Sequence, residues 1–406
     1  MAHIRSFSIY GLNGRTSPLC YDLDRNVNVF FGANGSGKTS VLRIINSAMS
    51  NDATLTQKIS YTKAEVDIVS VNFKKTFRLT CSKAPKPKRV SSRLSSEIGT
   101  SNSQRALSRA NTEESSQSWT WAPQRPKEVD VWRHEYLPTS RLYMPEDSFS
   151  YPGFVTEDGE FVEADHPSSE EGLDTKFASM LQEMWRYKYS DILARVRTSQ
   201  QSALQNIFLD VLAYETSKSS PNEAKGPMLP HLDSSRAYER MNTFLKRQSD
   251  RRTRQALGSK REFEKRYEAD ERLRQTVGQI DIVETSIEEE MRPIELLSKL
   301  ISKLFSAGKS ISFDGPTIRV QTQDKTEIGL EALSSGEKHL IRILLAAMDA
   351  QESTLLIDEP ELSLHIDWQR ELIRNIRLLN PMCQLIIATH SPEIMADVSD
   401  SEIFRI

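Results

Sequence analysis

Cysteine is scarce in this sequence, and long apolar runs are missing from it. The 406 residues include three cysteines, Cys20, Cys81 and Cys383, whose spacing fits neither a metal site nor a disulfide framework. No apolar run approaches the roughly 18 residues that cross a membrane, and residues 1–10 lack the long apolar core of a signal peptide. We therefore expect a cytoplasmic protein in a reducing compartment, with no membrane partner.

An excess of charge of one sign is also lacking. Lys and Arg number 53 against 56 Asp and Glu, which gives a formal net charge of -3. Any contact with nucleic acid therefore needs a local basic patch. Residues 245–261 form such a patch, with Lys and Arg far outnumbering the single Asp250. A helix of this composition either follows phosphates, binds an acidic protein or is a solvated charged face, and the sequence leaves these alternatives open.

The two ends of the chain have the pattern of one nucleotide-binding domain. Residues 1–82 combine alternating strands with a Gly-rich loop and a helix, and residues 306–406 alternate buried strands with helices. A strand–helix–strand rhythm is typical of a parallel sheet with helices on both faces. We predict an α/β fold in which residues 1–82 and 306–406 are the N- and C-terminal halves of one P-loop domain.

The middle of the chain is predicted to be inserted into this domain. Residues 83–130 are Ser-rich, basic and poor in apolar residues, which indicates a flexible insertion that is either a solubilising loop or a tether. Residues 131–170 contain a strand and a hairpin centred on Asp158-Gly159, and we assign them to the domain. Residues 171–305 are helical and rich in charge, and they are expected to form an inserted helical arm.

A Gly-rich loop follows an apolar strand and precedes a helical pattern. Its sequence, GANGSGKT, matches G-x-x-x-x-G-K-[ST] at every fixed position. Such a loop turns backbone N–H groups toward phosphate oxygens, and the following helix adds its positive end. Lys38 is expected to reach the β- and γ-phosphates and to act in catalysis, and Thr39 to bind Mg²⁺. The predicted nucleotide-binding residues of this loop are Gly32, Ala33, Asn34, Gly35, Ser36, Gly37, Lys38, Thr39 and Ser40.

Acidic residues end the next buried strand pattern, TLLIDEP. Asp358 is placed to hold Mg²⁺, directly or through water. Glu359 follows it and is placed to polarise the attacking water. His390 ends the later strand LIIATH, so its imidazole is expected in the ligand crevice beside the γ-phosphate. We predict Glu359, His390 and Lys38 as catalytic residues.

The segment LSSGE lies before this acidic strand. Ser334 and Glu337 have the spacing of a capping box, and the helix start that they cap is a second anion-binding site. The nucleotide-binding residues predicted here are Ser334, Ser335, Gly336 and Glu337.

Together these motifs resemble the ATP-binding-cassette ATPase superfamily. GANGSGKT resembles its Walker A motif, LSSGE its signature, LLIDEP its Walker B motif and glutamate, and His390 its switch histidine, while residues 362–365 take the place of its D-loop. The resemblance implies ATP and Mg²⁺ as ligands and a homo-oligomer in which the signature of one subunit covers the ATP held by another. A Q-loop glutamine is not evident. Arg141 in YLPTSR is the candidate sensor of the γ-phosphate in its place.

A narrower resemblance covers residues 1–75 and 310–395. It is to the AAA-type ATPases of the overcoming-lysogenization-defect (OLD) class, whose cores are similar to the ATPase subunits of the Septu, retron-associated and PARIS anti-phage systems. This resemblance implies a sensor or scaffold that controls a separate effector, a nuclease or a toxin, on detecting a phage product. The sequence shows no nuclease motif of its own.

The same motifs also occur in ATPases with two other functions. A DNA repair or recombination ATPase of the SMC- and RecF-like type, which binds duplex DNA, is the alternative. The short middle region lacks sustained heptads and so disfavours it. A transporter motor subunit is disfavoured by the missing glutamine and the large helical insertion.

Overall fold

The computed structural model describes residues 2–83, 118–124, 132–139, 154–155, 161–162, 170–216, 232–247, 257–305 and 308–406. Most of segment 83–130, the centre of the basic segment 245–261 and Arg141 lie outside these residues. Contacts divide the chain into two compact units, one of Met1–Leu181 with Gly329–Ile406 and the other of Gln182–Ile328. The five segments drawn from the sequence stay a prediction.

Two five-stranded sheets and three helices make up most of the first unit. The antiparallel sheet has the order β2 (Leu19–Asp22), β1 (Ala2–Tyr10), β4 (Lys63–Ser70), β5 (Lys75–Ser82), β6 (Thr120–Ala122). The parallel sheet has the order β15 (Ile403–Arg405), β3 (Val27–Phe31), β14 (Gln384–Thr389), β13 (Thr354–Asp358), β7 (His134–Leu137). The helices are α1 (Lys38–Ser50), α6 (Ser335–Asp349) and α7 (Ile366–Leu379). A small hairpin pairs β8 (Phe154–Val155) with β9 (Phe161–Val162), where the sequence predicts one.

The core of this unit lies around α1. Its apolar residues join one buried cluster with those of β1, β4 and β5 and with Leu356, Ile386 and Ala388 of the parallel sheet. The predicted α/β fold is confirmed. The sequence did not predict that α1 shares its core with a second sheet, in which β1, β4 and β5 each bury one face.

A buried glutamine ties the two sheets together. Gln384, at the start of β14, accepts a hydrogen bond from the Ile4 amide at 2.8 Å and donates to the Ile4 carbonyl at 2.7 Å. It thus gives the Ile4 backbone of β1 two partners from the other sheet. Buried polar groups need such partners, so the two hydrogen bonds link the two sheets at this point.

The second unit contains the helical part of the middle region. Its elements are the continuation of α2 (Glu170–Thr216), α3 (Ser234–Arg247), α4 (Lys260–Ala269), α5 (Glu271–Leu304), β10 (Lys309–Ser312), β11 (Arg319–Thr322) and β12 (Glu327–Ile328). One apolar cluster joins α3, α4 and the start of α5. Trp185 packs edge-on against Phe313 and donates to the Gly315 carbonyl at 2.7 Å, which holds α2 to the β10–β12 meander. In the described part of the chain, every helix is too short or too polar to span a membrane.

Candidate nucleotide site

The predicted site residues lie where parallel strands end. β3 leads into the Gly-rich loop, β13 ends at Asp358, β14 ends one residue before His390, and β7 ends two residues before Thr139. The carboxyl ends of parallel strands meet at one edge of a sheet, which is where ligands bind in open α/β folds. Because these strands are neighbours in the order β3, β14, β13, β7, the site residues at their ends lie close together although they are hundreds of positions apart in the sequence.

The Gly-rich loop has the backbone that a phosphate cradle needs. Gly35 and Gly37 have φ of 81° and 106°, in the left-handed region that favours glycine. A Cβ on Gly32 would lie 2.5 Å from the Ile406 carbonyl oxygen and 2.9 Å from Ser36 Oγ. Lys38 is 4% exposed, and its Nζ donates to the carbonyls of Gly32 and Ala33 at 2.8 and 3.0 Å. The amine thus lies in the loop, where bound phosphate oxygens would replace these two carbonyls.

Two threonine hydroxyls converge on Asp358. Thr39 Oγ1 donates to Oδ1 at 3.1 Å, and Thr139 Oγ1 donates to Oδ2 at 2.7 Å. Asp358 is 2% exposed, and burial raises the pKa of its carboxyl, although both hydroxyl hydrogen bonds lower it. A buried carboxylate of this kind is stabilised by a cation, and hydroxyl and carboxylate oxygens are the donors that Mg²⁺ prefers. The residues present therefore fit the predicted Mg²⁺ site.

Glu359 and His390 lie on the same edge. The Glu359 amide donates to the Ala388 carbonyl at 2.8 Å, and Glu359 has φ of 50°. His390 Nδ1 lies 3.0 Å from Oε1 of Glu361, a side chain that is 5% exposed. The backbone of Glu359 is therefore anchored to β14, which ends just before His390.

The signature segment begins α6. Ser334 Oγ accepts from the Glu337 amide at 3.2 Å, and Glu337 Oε2 accepts from the Ser334 amide at 2.6 Å, so the capping box forms as predicted. Ser334 and Ser335 are exposed, whereas most of α6 is buried. Gly336 lies so close to the Ser363 carbonyl that a Cβ would collide with it. The signature and the predicted D-loop are therefore in contact within one chain.

Sequence reasoning missed three residues near these motifs. Thr139 is one, and its only sequence signal is its place just after a strand in YLPTSR. Glu361 is the second. The sequence signal for Glu361 is its position: it is an acid three residues after Asp358, and the next buried strand pattern ends in a histidine. Arg15 is the third: its Nη2 donates to the Ser36 carbonyl at 2.9 Å from the segment between β1 and β2. The candidate Arg141 lies outside the described residues.

Two curated relatives share short stretches with this chain. The Septu protein PtuA of Bacillus thuringiensis is 32% identical over 117 residues, 25% of this chain and 28% of that protein. The retron Vc95 probable ATPase of Vibrio cholerae serotype O1 biovar El Tor is 34% identical over 91 residues, 19% of this chain and 18% of that protein. The similarity to Septu and retron-associated ATPases that the motifs predict is thus confirmed over part of the chain.

The solved structures that match this chain include heads of SMC proteins. The Smc head domain with an extended coiled coil from Pyrococcus furiosus, bound to the C-terminal domain of ScpA, is 13% identical, with a TM-score of 0.41 over 98% of this chain and 92% of that chain. The Smc head domain with a coiled coil and joint from Pyrococcus yayanosii is 12% identical, with a TM-score of 0.44 over 100% of this chain and 95% of that chain.

A family model described as the AAA ATPase domain matches residues 19–395. That span contains all the motifs described above and most of the chain. The protein therefore belongs to the AAA ATPase domain family AAA_15 and is an ATPase.

Proposed function

We propose that this ATPase hydrolyses ATP at sites shared between two copies of the chain, and that the ATP-bound assembly controls a separate effector in bacterial defence against phages. The effector is a nuclease or a toxin, and a phage product is the trigger. The chain acts in the cytoplasm as an ATPase of the OLD-like class.

One observation carries the shared site. The first turn of α6 exposes Ser334 and Ser335, whereas nearly all of the following helix is buried. Capped helix starts bind anions. An anion-binding turn that faces outward is suited to a phosphate held by another subunit, as the signature motif implies. Exposed Ile366, next to the predicted D-loop, adds apolar surface for such a contact.

The predicted catalytic, metal-binding and signature residues have separate parts in the reaction. Lys38 leaves the Gly32 and Ala33 carbonyls to contact the β- and γ-phosphates, and Glu359 orients the attacking water. Thr39 and Asp358 hold Mg²⁺, which neutralises charge on the phosphate oxygens when it is bound. His390 contacts the γ-phosphate or the water from the end of β14. Ser334, Ser335, Gly336 and Glu337 complete the site from the other subunit.

The defence role is supported by the names of the two relatives, a Septu protein and a retron ATPase. This chain spans 28% and 18% of their lengths, so their partners and triggers are carried over only as a proposal. The scarcity of cysteine and the lack of a candidate membrane span in the described residues agree with action in the cytoplasm.

A mixing experiment tests the shared site. Lys38→Ala and Ser334→Arg subunits should each be inactive alone. When they are mixed, a mixed dimer contains one site with both lesions and one intact site. If the two sites act independently, about a quarter of wild-type ATPase activity should therefore return. A mixture that stays inactive although mixed dimers form would contradict independent sites that are shared between subunits.

A phage challenge tests the defence role. Cells carrying the gene with its native neighbours should resist phage, and Lys38→Ala should abolish resistance as measured by efficiency of plating. Resistance that survives Lys38→Ala, at matched protein levels, would separate ATP binding from defence. If cells that carry the unmodified gene and its native neighbours stay fully sensitive to a broad panel of phages, the defence role is contradicted.

A further inference from the structure

Glu361 is a buried acid to which none of the predicted motifs gives a role. It lies in the turn between β13 and α7. Its carbonyl accepts from the Leu364 amide at 3.0 Å and from Gln369 Nε2 at 3.3 Å, so its backbone is fixed on the α7 side. A carboxylate buried this deeply is costly unless hydrogen bonds satisfy it. Its hydrogen-bond partners therefore indicate its role.

Among the described residues, the hydrogen-bond partners of the Glu361 carboxylate all lie at the end of β14. Its Oε1 accepts from Thr389 Oγ1 at 2.7 Å, from the His390 amide at 2.8 Å and from His390 Nδ1 at 3.0 Å. Its Oε2 is buried and has no hydrogen-bond partner among the described residues. The carboxylate is thus directed at His390 through a single oxygen.

This contact favours one tautomer of the imidazole. An ionised carboxylate only accepts hydrogen bonds, so beside an ionised Glu361 the shared proton would lie on His390 Nδ1. Nε2 is then the nitrogen left to contact other groups. The His390 side chain is 40% exposed, so the ring extends from the buried carboxylate to the open edge of the sheet.

We propose that Glu361 is the positioning residue for His390, and that it holds the ring with Nδ1 protonated and Nε2 facing the phosphate bound by the Gly-rich loop. Glu361 takes no proton and touches no substrate. Its effect is to fix one ring orientation and one tautomer, as the carboxylate does in serine protease triads. The inference rests on the role proposed above for His390.

A double-mutant cycle tests this coupling. Glu361→Gln keeps the size of the side chain but removes its charge and introduces an amide that can turn its NH₂ toward Nδ1. In the wild-type background we expect kcat to fall about 10- to 100-fold, less than the roughly 100- to 10,000-fold that a proton-transferring side chain itself contributes, because Glu361 acts only through His390. ATP affinity should change less than about twofold, because Glu361 does not touch the nucleotide. In the His390→Ala background the same change should alter kcat by less than about twofold, since Glu361 acts through the missing ring.

The cycle separates the possible failures. An equal loss of kcat in both backgrounds would show that Glu361 supports the fold and not His390, and would overturn the inference. A wild-type kcat for His390→Ala would overturn the proposed role of His390 itself. Glu393→Gln is the matched control. It removes a glutamate that is paired with Arg370 and does not contact His390, so kcat should stay the same.

A second measurement needs no substitution at Glu361. The ¹⁵N shifts of the His390 ring, assigned by comparison with His390→Ala, report which nitrogen carries the proton in the unmodified protein. We expect a protonated Nδ1. A ring protonated on Nε2 and not on Nδ1 would overturn the inference even if Glu361→Gln fails to fold.

Discussion

At the scale of single residues, the proposed site makes nucleotide binding depend on Lys38. Its buried amine donates hydrogen bonds to two carbonyls of the loop, and these are its hydrogen bonds among the described residues. Lys38→Ala should therefore abolish binding of a fluorescent ATP analogue without lowering the melting temperature strongly. Lys58→Ala, at an exposed position, is the control and should bind normally. Binding by Lys38→Ala within about twofold of wild type would contradict the assigned contact with the phosphates.

Thr139 tests the Mg²⁺ site. Thr139→Val keeps the side-chain shape but removes the 2.7 Å hydrogen bond to Asp358. Partners of this kind orient metal ligands, and their loss typically costs 10- to 100-fold in metal affinity. We expect the Mg²⁺ concentration for half-maximal binding of ATP to rise by about tenfold or more. Thr322→Val, which removes a hydroxyl that donates to the Thr326 carbonyl, is the control. Equal Mg²⁺ dependence in the two variants would contradict the assignment.

These two residues also show what the sequence can predict. Lys38 stands in a contiguous motif, so local spacing is enough to find it. Thr139 and Asp358 are 219 positions apart, and their contact depends on β7 pairing with β13. No local pattern encodes that pairing, because the strand order of a parallel sheet is set by packing of the whole domain.

At the scale of elements, two capping boxes allow a matched comparison. Ser334 caps α6 and Ser259 caps α4, each with a glutamate three positions on. Replacing either serine with alanine should cost about 1 kcal/mol of stability. Only Ser334→Ala should also weaken ATP-dependent assembly, measured by light scattering over a range of ATP concentrations. Assembly that Ser259→Ala weakens as much would show that capping alone, and not contact with nucleotide, explains the effect.

Glu135 in β7 should make the stability of the protein depend on pH. Burial raises the pKa of Glu135 to about 7; Asp349 adds to the shift, and Arg342 and Arg133 oppose it. Because the pKa is raised on folding, the stability linked to the protonated form is complete below about pH 4.5 and is lost as pH rises through about 7. Glu135→Gln stays neutral. The unfolding free energy of Glu135→Gln minus that of the wild type should therefore increase by about 1–3 kcal/mol from about pH 5 to about pH 8.

Urea unfolding of the wild type and of Glu135→Gln at about pH 5 and about pH 8 checks this prediction. Glu65→Gln, which breaks a surface ion pair with Lys63, is the control and should have a small effect. A difference between wild type and Glu135→Gln that stays constant from about pH 5 to about pH 8 would contradict the raised pKa.

At the scale of the whole molecule, the sequence predicts most elements but not their layers. The alternation in β1, β4 and β5 indicates half-buried strands, and the apolar runs in β13 and β14 indicate fully buried ones. Alternation does not say what a strand packs against. The partner of the antiparallel sheet is α1, and Gln384 reaches Ile4 across 380 positions. Such contacts appear only when the chain is folded.

We propose that ATP joins two copies of this chain through the P-loop of one and the signature of the other. Light scattering of Glu359→Gln with and without ATP and Mg²⁺ tests it most directly, because slowed hydrolysis should keep the ATP-bound state populated. We expect the mass to at least double when ATP is added, and Ser334→Arg in the same background to block this change. If Glu359→Gln stays a monomer at saturating ATP, ATP does not join two copies in this way.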